Sequence, residues 1–205
     1  MFGLDVVHRG RAETRTLDLN YHMQGAAKAF YANRRILCDK RASIAQRLKL
    51  FNSVVTTVAC FAAEHRSMYV EDLRAMDIEF RRLVRQIVGP PPQVDWESPW
   101  HDILHLWNER ARSFVANAGI RTWAEQCVHQ YWSFAEYVQQ LPDTRCITRV
   151  LNWSPRGRRR AGRPRLTWSH KLEAFGRVIG SQWRSWSPDV FQQRASAFQD
   201  FCRRS

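Results

Sequence analysis

The residues best equipped for chemistry lie between Arg156 and Trp168. There the run Arg-Gly-Arg-Arg-Arg-Ala-Gly-Arg-Pro-Arg-Leu-Thr-Trp places six arginines, two glycines and a proline in thirteen positions without an acid. Each guanidinium presents a planar fork of donors that matches phosphate oxygens, and neutralising several phosphates together releases condensed counterions. Arg156, Arg158, Arg159, Arg160, Arg163 and Arg165 are therefore candidate contacts to a nucleic-acid backbone. Gly157 and Gly162 keep the run adaptable, and Pro164 bars a regular helix through it. A solvated basic loop without a partner is the competing reading of such a charge run. The Gly162-Arg-Pro164 core and the flanking Trp153 and Trp168 add weight to a nucleic-acid contact. From Thr144 to Leu172 eight Arg and one Lys meet no acid, so this window supplies +9 of the chain's formal +13.

A second basic group, Arg34, Arg35, Lys40, Arg41, Arg47 and Lys49, surrounds the junction of two expected helices. Such a group is commonly a solvated face, but forked arginines at helix ends also track a nucleic-acid backbone. Arg34, Arg35, Arg41 and Arg47 join the candidate set on that ground.

Other constellations point to structure more than to catalysis. His101 and His105 stand four apart on one expected helix face, with Cys127 and His129 on the next, which makes four possible zinc ligands. No acid orients the histidines at a recognisable spacing, and neutral His on an aromatic face commonly packs beside Trp, so no metal is expected. Tyr69-Val-Glu-Asp72 has a faint likeness to the Tyr-x-Asp-Asp of polymerases, yet it opens a helix, where Glu71 and Asp72 favour the N-terminal dipole. None of Lys28, Lys40, Lys49 and Lys171 follows an acid by two residues, so the Asp/Glu-x-Lys of nucleases is missing, as are a Walker loop and a Gly-x-Ser-x-Gly. The sequence implies no enzyme and no cofactor.

These groups sit on a chain of 205 residues, 44% hydrophobic and 25% charged, a globular balance able to bury a sizeable core. Net +13 implies an anionic partner, nucleic acid before an acidic membrane surface. Apolar runs such as Val58 to Ala63 are too short to span a bilayer, and the first ten residues do not read as a secretory leader. An intracellular protein, nuclear or cytoplasmic and not secreted, is the expectation. The five cysteines are odd in number and lack a Cys-x-x-Cys pair, so reduced thiols are expected.

Periodicity is helical nearly throughout and predicts an all-α, irregular multi-helix bundle in two halves, with one short strand or hairpin allowed in the first 16 residues. Helices are expected over about 18–37, about 44–64 after a Ser43/Gln46 capping box, and from Val70 to Gly89. Gly89-Pro-Pro-Pro92 predicts the main boundary, giving a helical unit at 1–89, a proline-rich linker at 90–98 and a Trp-rich helical connector at 99–205 with its basic loop at 154–167. Beyond the linker, helices are expected from Ser98-Pro99, from a Thr122/Glu125 capping box, from Asp143, around Leu172 to Ile179, and from Ser187-Pro188. All nine tryptophans lie at or after Trp96, and most fall on apolar stripes, which makes them core more than platforms for unpaired bases.

Phe2-Gly-Leu4, Lys28-Ala-Phe30, Arg47-Leu-Lys-Leu-Phe51-Asn-Ser-Val-Val55, Leu73 through Phe80-Arg-Arg-Leu-Val-Arg-Gln-Ile-Val-Gly89, and Gly162-Arg-Pro164 with Trp168 together resemble, in order, the C-terminal region of non-LTR (LINE-type) retrotransposon reverse transcriptases. The resemblance implies that about 17–88 correspond to the thumb, which grips the template and primer duplex. It implies further that a connector with additional nucleic-acid contacts follows, and that the Gly162-Arg-Pro164 segment corresponds to the family's basic C-terminal motif. Where the family often has Tyr-Gly-x-Glu-x-Trp, the chain reads Cys60-Phe-Ala-Ala-Glu64-His-Arg, so only Glu64 matches. Fingers, palm carboxylates and endonuclease are missing. The expectation is a non-catalytic C-terminal fragment of an RNA-directed DNA polymerase that binds RNA or DNA without sequence preference.

Two alternatives stay open. An AT-hook-like DNA-binding module would lay Gly162-Arg-Pro164 in the minor groove, although Ala161 interrupts the arginines on one side. A helical protein-interaction domain would carry the basic loop incidentally.

Overall fold

The computed structural model describes residues 4–65, 69–92, 96–142, 144–152 and 168–204, with side chains from residue 18 onward apart from those of 65, 151 and 152. Among these residues the chain is all-α, a multi-helix fold without a strand. The strand or hairpin allowed in the first 16 residues is corrected: α1 runs from Leu4 to Ala32. Ala12, Glu13, Arg15 and Leu17 are strong helix formers, no proline intervenes, and the apolar alternation is too irregular to outweigh them. Asn33 interrupts the helix, and a single turn, α2 (Arg34–Leu37), follows.

The next helix begins as the sequence predicts. Ser43 Oγ accepts from Gln46 N at 3.3 Å while Gln46 Oε1 accepts from Ser43 N at 3.1 Å, a complete capping box that opens α3 (Ile44–Phe51). The backbone then widens into a π-helical turn over Asn52–Thr56 before α4 (Thr57–Ala59). Hydroxyls accompany the widening: Ser53 Oγ donates to Leu50 O, and Thr57 Oγ1 is within 3.1 Å of both Ser53 O and Val54 O. Its effect on packing is direct. Regular helical spacing onward from Phe51 puts Val54, Val55, Val58 and Ala62 on the buried stripe, whereas the buried residues are Val55, Thr56, Ala59, Cys60 and Ala63, a shift of one position. The helix ends at Ala59 rather than near 64, and Ala62 takes a left-handed φ of 53°.

Contacts divide the chain into two compact units, Met1–Phe61 with Glu71–Gln126, and Ala62–Val70 with Cys127–Ser205. The boundary is therefore not at the proline run. Gly89, at φ 76°, does end α5 (Val70–Val88) as expected. Beyond the prolines, however, α6 (Trp100–Asn117) remains in the first unit: Trp107 Nε1 donates to Arg85 O at 3.2 Å and Arg85 Nη1 to Asn108 Oδ1 at 2.6 Å. A proline stretch stops a helix, but it does not decide what the following helix packs against.

The first unit closes around Trp123 at the start of α7 (Trp123–Gln139). Its ring stacks on Phe51 at 6.1 Å and meets Phe80 edge-on at 5.8 Å, and its indole N–H donates to the buried Thr56 hydroxyl at 3.0 Å. Thr122 and Glu125 form the second expected capping box, and Asp77 of α5 accepts from Ala124 N at 3.2 Å, so a carboxylate meets the positive end of α7. Burial first, opposed by hydrogen bonds from Ala124 and Thr122, raises the Asp77 pKa. Gly25 of α1 lies against Val58, where an added Cβ would come within 3.1 Å of a methyl group.

The second unit holds the remainder of α7, α8 (Cys146–Asn152), α9 (His170–Val178) and α10 (Pro188–Arg204). The expected Asp143 cap lies outside the described residues. Trp132 is the centre of this unit, 4.5 Å from Phe198 and 5.0 Å from Phe191, with its N–H on Phe191 O at 3.0 Å. Gly176 is required by close approach, since a Cβ there would stand 2.5 Å from Ser181 O.

Candidate nucleic-acid interface

Helix ends of the first unit build a basic corner. Asn33 N donates to Ala29 O and Phe30 O, and Leu37 N donates to Asn33 O, so Asn33 joins the end of α1 to the short α2, on which Arg34 and Arg35 are exposed. Cys38 Sγ donates to Gln86 O at 3.6 Å, which joins the following turn to the last turn of α5. Lys40 and Arg41 occupy that turn, and Lys49 lies exposed on α3.

The four corner arginines of the sequence reading separate into distinct environments. Arg34 and Arg35 are exposed, and no salt bridge among the described residues engages them. Arg41 is exposed too, but it grips Asp39 through Nε at 3.2 and 3.1 Å and through Nη2 at 2.9 Å. These bonds, with one from the Arg41 backbone, hold the Asp39 carboxyl below its usual range. Arg41 therefore reaches a phosphate only in competition with its own neighbour.

Arg47 leaves the candidate set. Only 7% exposed, it donates from Nε to Ala42 O at 3.2 Å and from Nη1 to Ile87 O. Ile87 belongs to the last turn of α5, whose carbonyls have no partner within the helix, so the guanidinium serves as a helix cap. Nothing in the local sequence distinguishes it from Arg34, because its burial depends on α5 arriving from 40 residues away.

Two residues of the corner escaped the sequence reading. Tyr31, 47% exposed, accepts at its hydroxyl from Arg82 Nη1 at 3.1 Å, and Arg82 is in turn fixed by Glu79, with Nε to Oε2 at 2.7 Å. Hydrogen bonds from Arg82 and then Gln86 lower the Tyr31 pKa, and the bonds to Glu79 and Tyr31 raise that of Arg82. Burial, reinforced by Arg81 and Arg82, lowers that of Arg85. The available signal was an aromatic residue off the apolar stripe, one turn ahead of a pair of arginines.

Arg156, Arg158, Arg159, Arg160, Arg163 and Arg165 lie outside the described residues, as does Trp153. Trp168 is described. It packs in the second unit at 5.0 Å from Tyr131 and 5.2 Å from Phe134, donates from Nε1 to Glu64 O, and accepts at its carbonyl from the Tyr131 hydroxyl. Trp123, Trp132, Trp183 and Trp186 are buried, while Trp96 and Trp100 are exposed.

His101, His105 and His129 are exposed and Cys127 is buried, and among the described residues no three His, Cys, Asp or Glu side chains gather as a metal site. All five cysteines are free thiols. Glu71 and Asp72 occupy the first turn of α5. No described helix is long and apolar enough to cross a membrane. No protein-family model, curated protein or solved structure matches this chain.

Proposed function

We propose that this chain is a non-catalytic nucleic-acid-binding region of the kind that follows the palm in non-LTR reverse transcriptases, holding an RNA or DNA backbone through exposed cations. The observation that carries the reading is the charge balance of the corner. From Leu19 to Ala63 seven cations stand against one acid, Asp39, which Arg41 already neutralises. Arg34, Arg35, Lys40 and Lys49 are exposed, and the one acid within this stretch is engaged by Arg41. The arginines at 156–165 form a second such region by composition. Phosphate contacts give affinity without sequence preference, which suits a region that must hold whatever template its parent copies.

Fluorescence anisotropy with labelled RNA and DNA of unrelated sequences, titrated over a salt series, tests this. Comparable affinity for every sequence is expected, with log affinity falling linearly against log salt. Changing the six arginines at 156–165 to Gln should flatten that slope by roughly 0.7 to 0.9 for each phosphate no longer engaged. Absence of binding at low salt, or a slope that the variant leaves unchanged, overturns the assignment of those arginines.

A further inference from the structure

The exposed face of Tyr31 has a geometry that backbone binding alone does not use. Its ring meets the fully buried Phe30 at 5.3 Å and 87°, and its hydroxyl is tethered by Arg82, which also donates from Nε and Nη2 to Glu79. The phenol is thus held at both ends while nearly half of its surface stays open, and a ring already fixed gives up little further freedom on binding a flat partner. Arg34 and Arg35 follow three and four residues later, past the break at Asn33, and both side chains are exposed. Ile36 is 57% exposed beside them, and Lys40 continues the positive edge. Asp39 and Glu79 are each paired with an arginine, Arg41 and Arg82.

A half-exposed aromatic ring followed closely in the chain by two exposed guanidiniums suits a ligand offering a π-face and phosphates together. A duplex hides its base faces in the stack and presents phosphates alone. An unpaired strand presents both. We infer that Tyr31 is a stacking platform for a base of single-stranded RNA or DNA whose phosphates lie along Arg34, Arg35 and Lys40. This rests on the nucleic-acid reading above and narrows it from backbone to unpaired strand.

The test compares oligothymidylate and oligouridylate of about twelve nucleotides, within the span such grooves accommodate, with a mixed-sequence duplex of the same length, all at one salt concentration. Tyr31→Ala is expected to weaken both single strands by roughly 5- to 150-fold, the range for removing one stacked base, to leave duplex affinity within about twofold, and to keep the salt slope. Tyr31→Phe keeps the ring but loses the Arg82 tether, and should bind single strands more weakly than wild type and more tightly than Tyr31→Ala. Arg34→Gln with Arg35→Gln should weaken strands and duplex alike and flatten the single-strand slope by roughly 0.7 per phosphate released. Melting curves of each variant confirm that the fold survives. A Tyr31→Ala protein that binds single strands as wild type does, or that loses strand and duplex equally, overturns the inference while leaving the backbone reading intact. Wild-type protein that binds neither overturns both. Displacement of oligothymidylate by an acidic polyglutamate peptide at equal concentration would show that the corner is a protein-docking surface instead.

Discussion

The two units each enclose a tryptophan, yet they are held together differently. Around Trp123 the helices are locked by polar side chains that reach from one element to the end of another: Arg47 to Ile87 O, Asp77 to Ala124 N, Arg85 to Asn108, and the indole itself to Thr56. Around Trp132 the filling is aromatic, with Phe175, Trp186, Phe191 and Phe198 all within 6.1 Å, and the indole N–H is answered by a backbone carbonyl. The contrast weakens two easy inferences from composition. A cation in a basic cluster can be an internal fastener, and a wealth of tryptophan can be core rather than a surface for bases.

The largest effect should come from the aromatic unit. Trp132→Ala removes the centre of its ring cluster and the indole bond to Phe191 O, which should cost about 3–5 kcal/mol in urea unfolding. A loss below about 1 kcal/mol would mean that the other rings close the gap, and the contrast with the polar-locked unit would fail. Next comes the polar fastening: Arg47→Met, matched in length but without donors, should cost about 2–3 kcal/mol because Ile87 O and Ala42 O lose a charged partner. Arg34→Gln and Arg35→Gln, on the same corner, should each stay under about 0.5 kcal/mol. Equal losses from all three would restore the picture of one uniform basic face.

The smallest effect concerns Asp77, whose pKa burial raises. A carboxyl with a raised folded-state pKa binds protons more readily in the native state, so its penalty is present above that pKa and vanishes below the unfolded value near 3.9. Asp77→Asn keeps an acceptor for Ala124 N while removing the charge. The variant should match or exceed wild-type stability at neutral pH, with the difference closing as pH falls towards about 4. A variant less stable at neutral pH would show that attraction between the carboxylate and the positive end of α7 outweighs its desolvation.

What was legible in the sequence is what short-range chemistry determines. Ser43 with Gln46, Thr122 with Glu125, Gly89 and Ser187-Pro188 each place a helix end from three or four residues, and each lies where expected. The helical stripe of α5 is equally local, and Leu73, Met76, Phe80, Leu83, Val84 and Ile87 are all buried. The division of the chain was not legible, because the hydrogen bonds linking α6 to Arg85 join segments that the proline run separates only along the chain, not in space. Of the corner, the exposed pair Arg34 and Arg35 could be read directly. The burial of Arg47 and the tethering of Tyr31 by Arg82 could not, since both are made by α5, 40 and 51 residues further along.

The π turn at Asn52–Thr56 bears on how this chain tolerates changes of length. A widened turn takes up one residue beyond the regular helical count, so the segment holds a small reserve of slack. Losing one residue there would tighten the backbone to an ordinary helix and leave Thr56 and Ala59 facing inward as they do now. The same loss in the middle of Val70–Val88 would swing Leu83, Val84 and Ile87 by about 100° away from their partners. Along the helices of the first unit, a descendant of this chain could thus be shortened by one residue at this turn and keep its interior packing downstream of it.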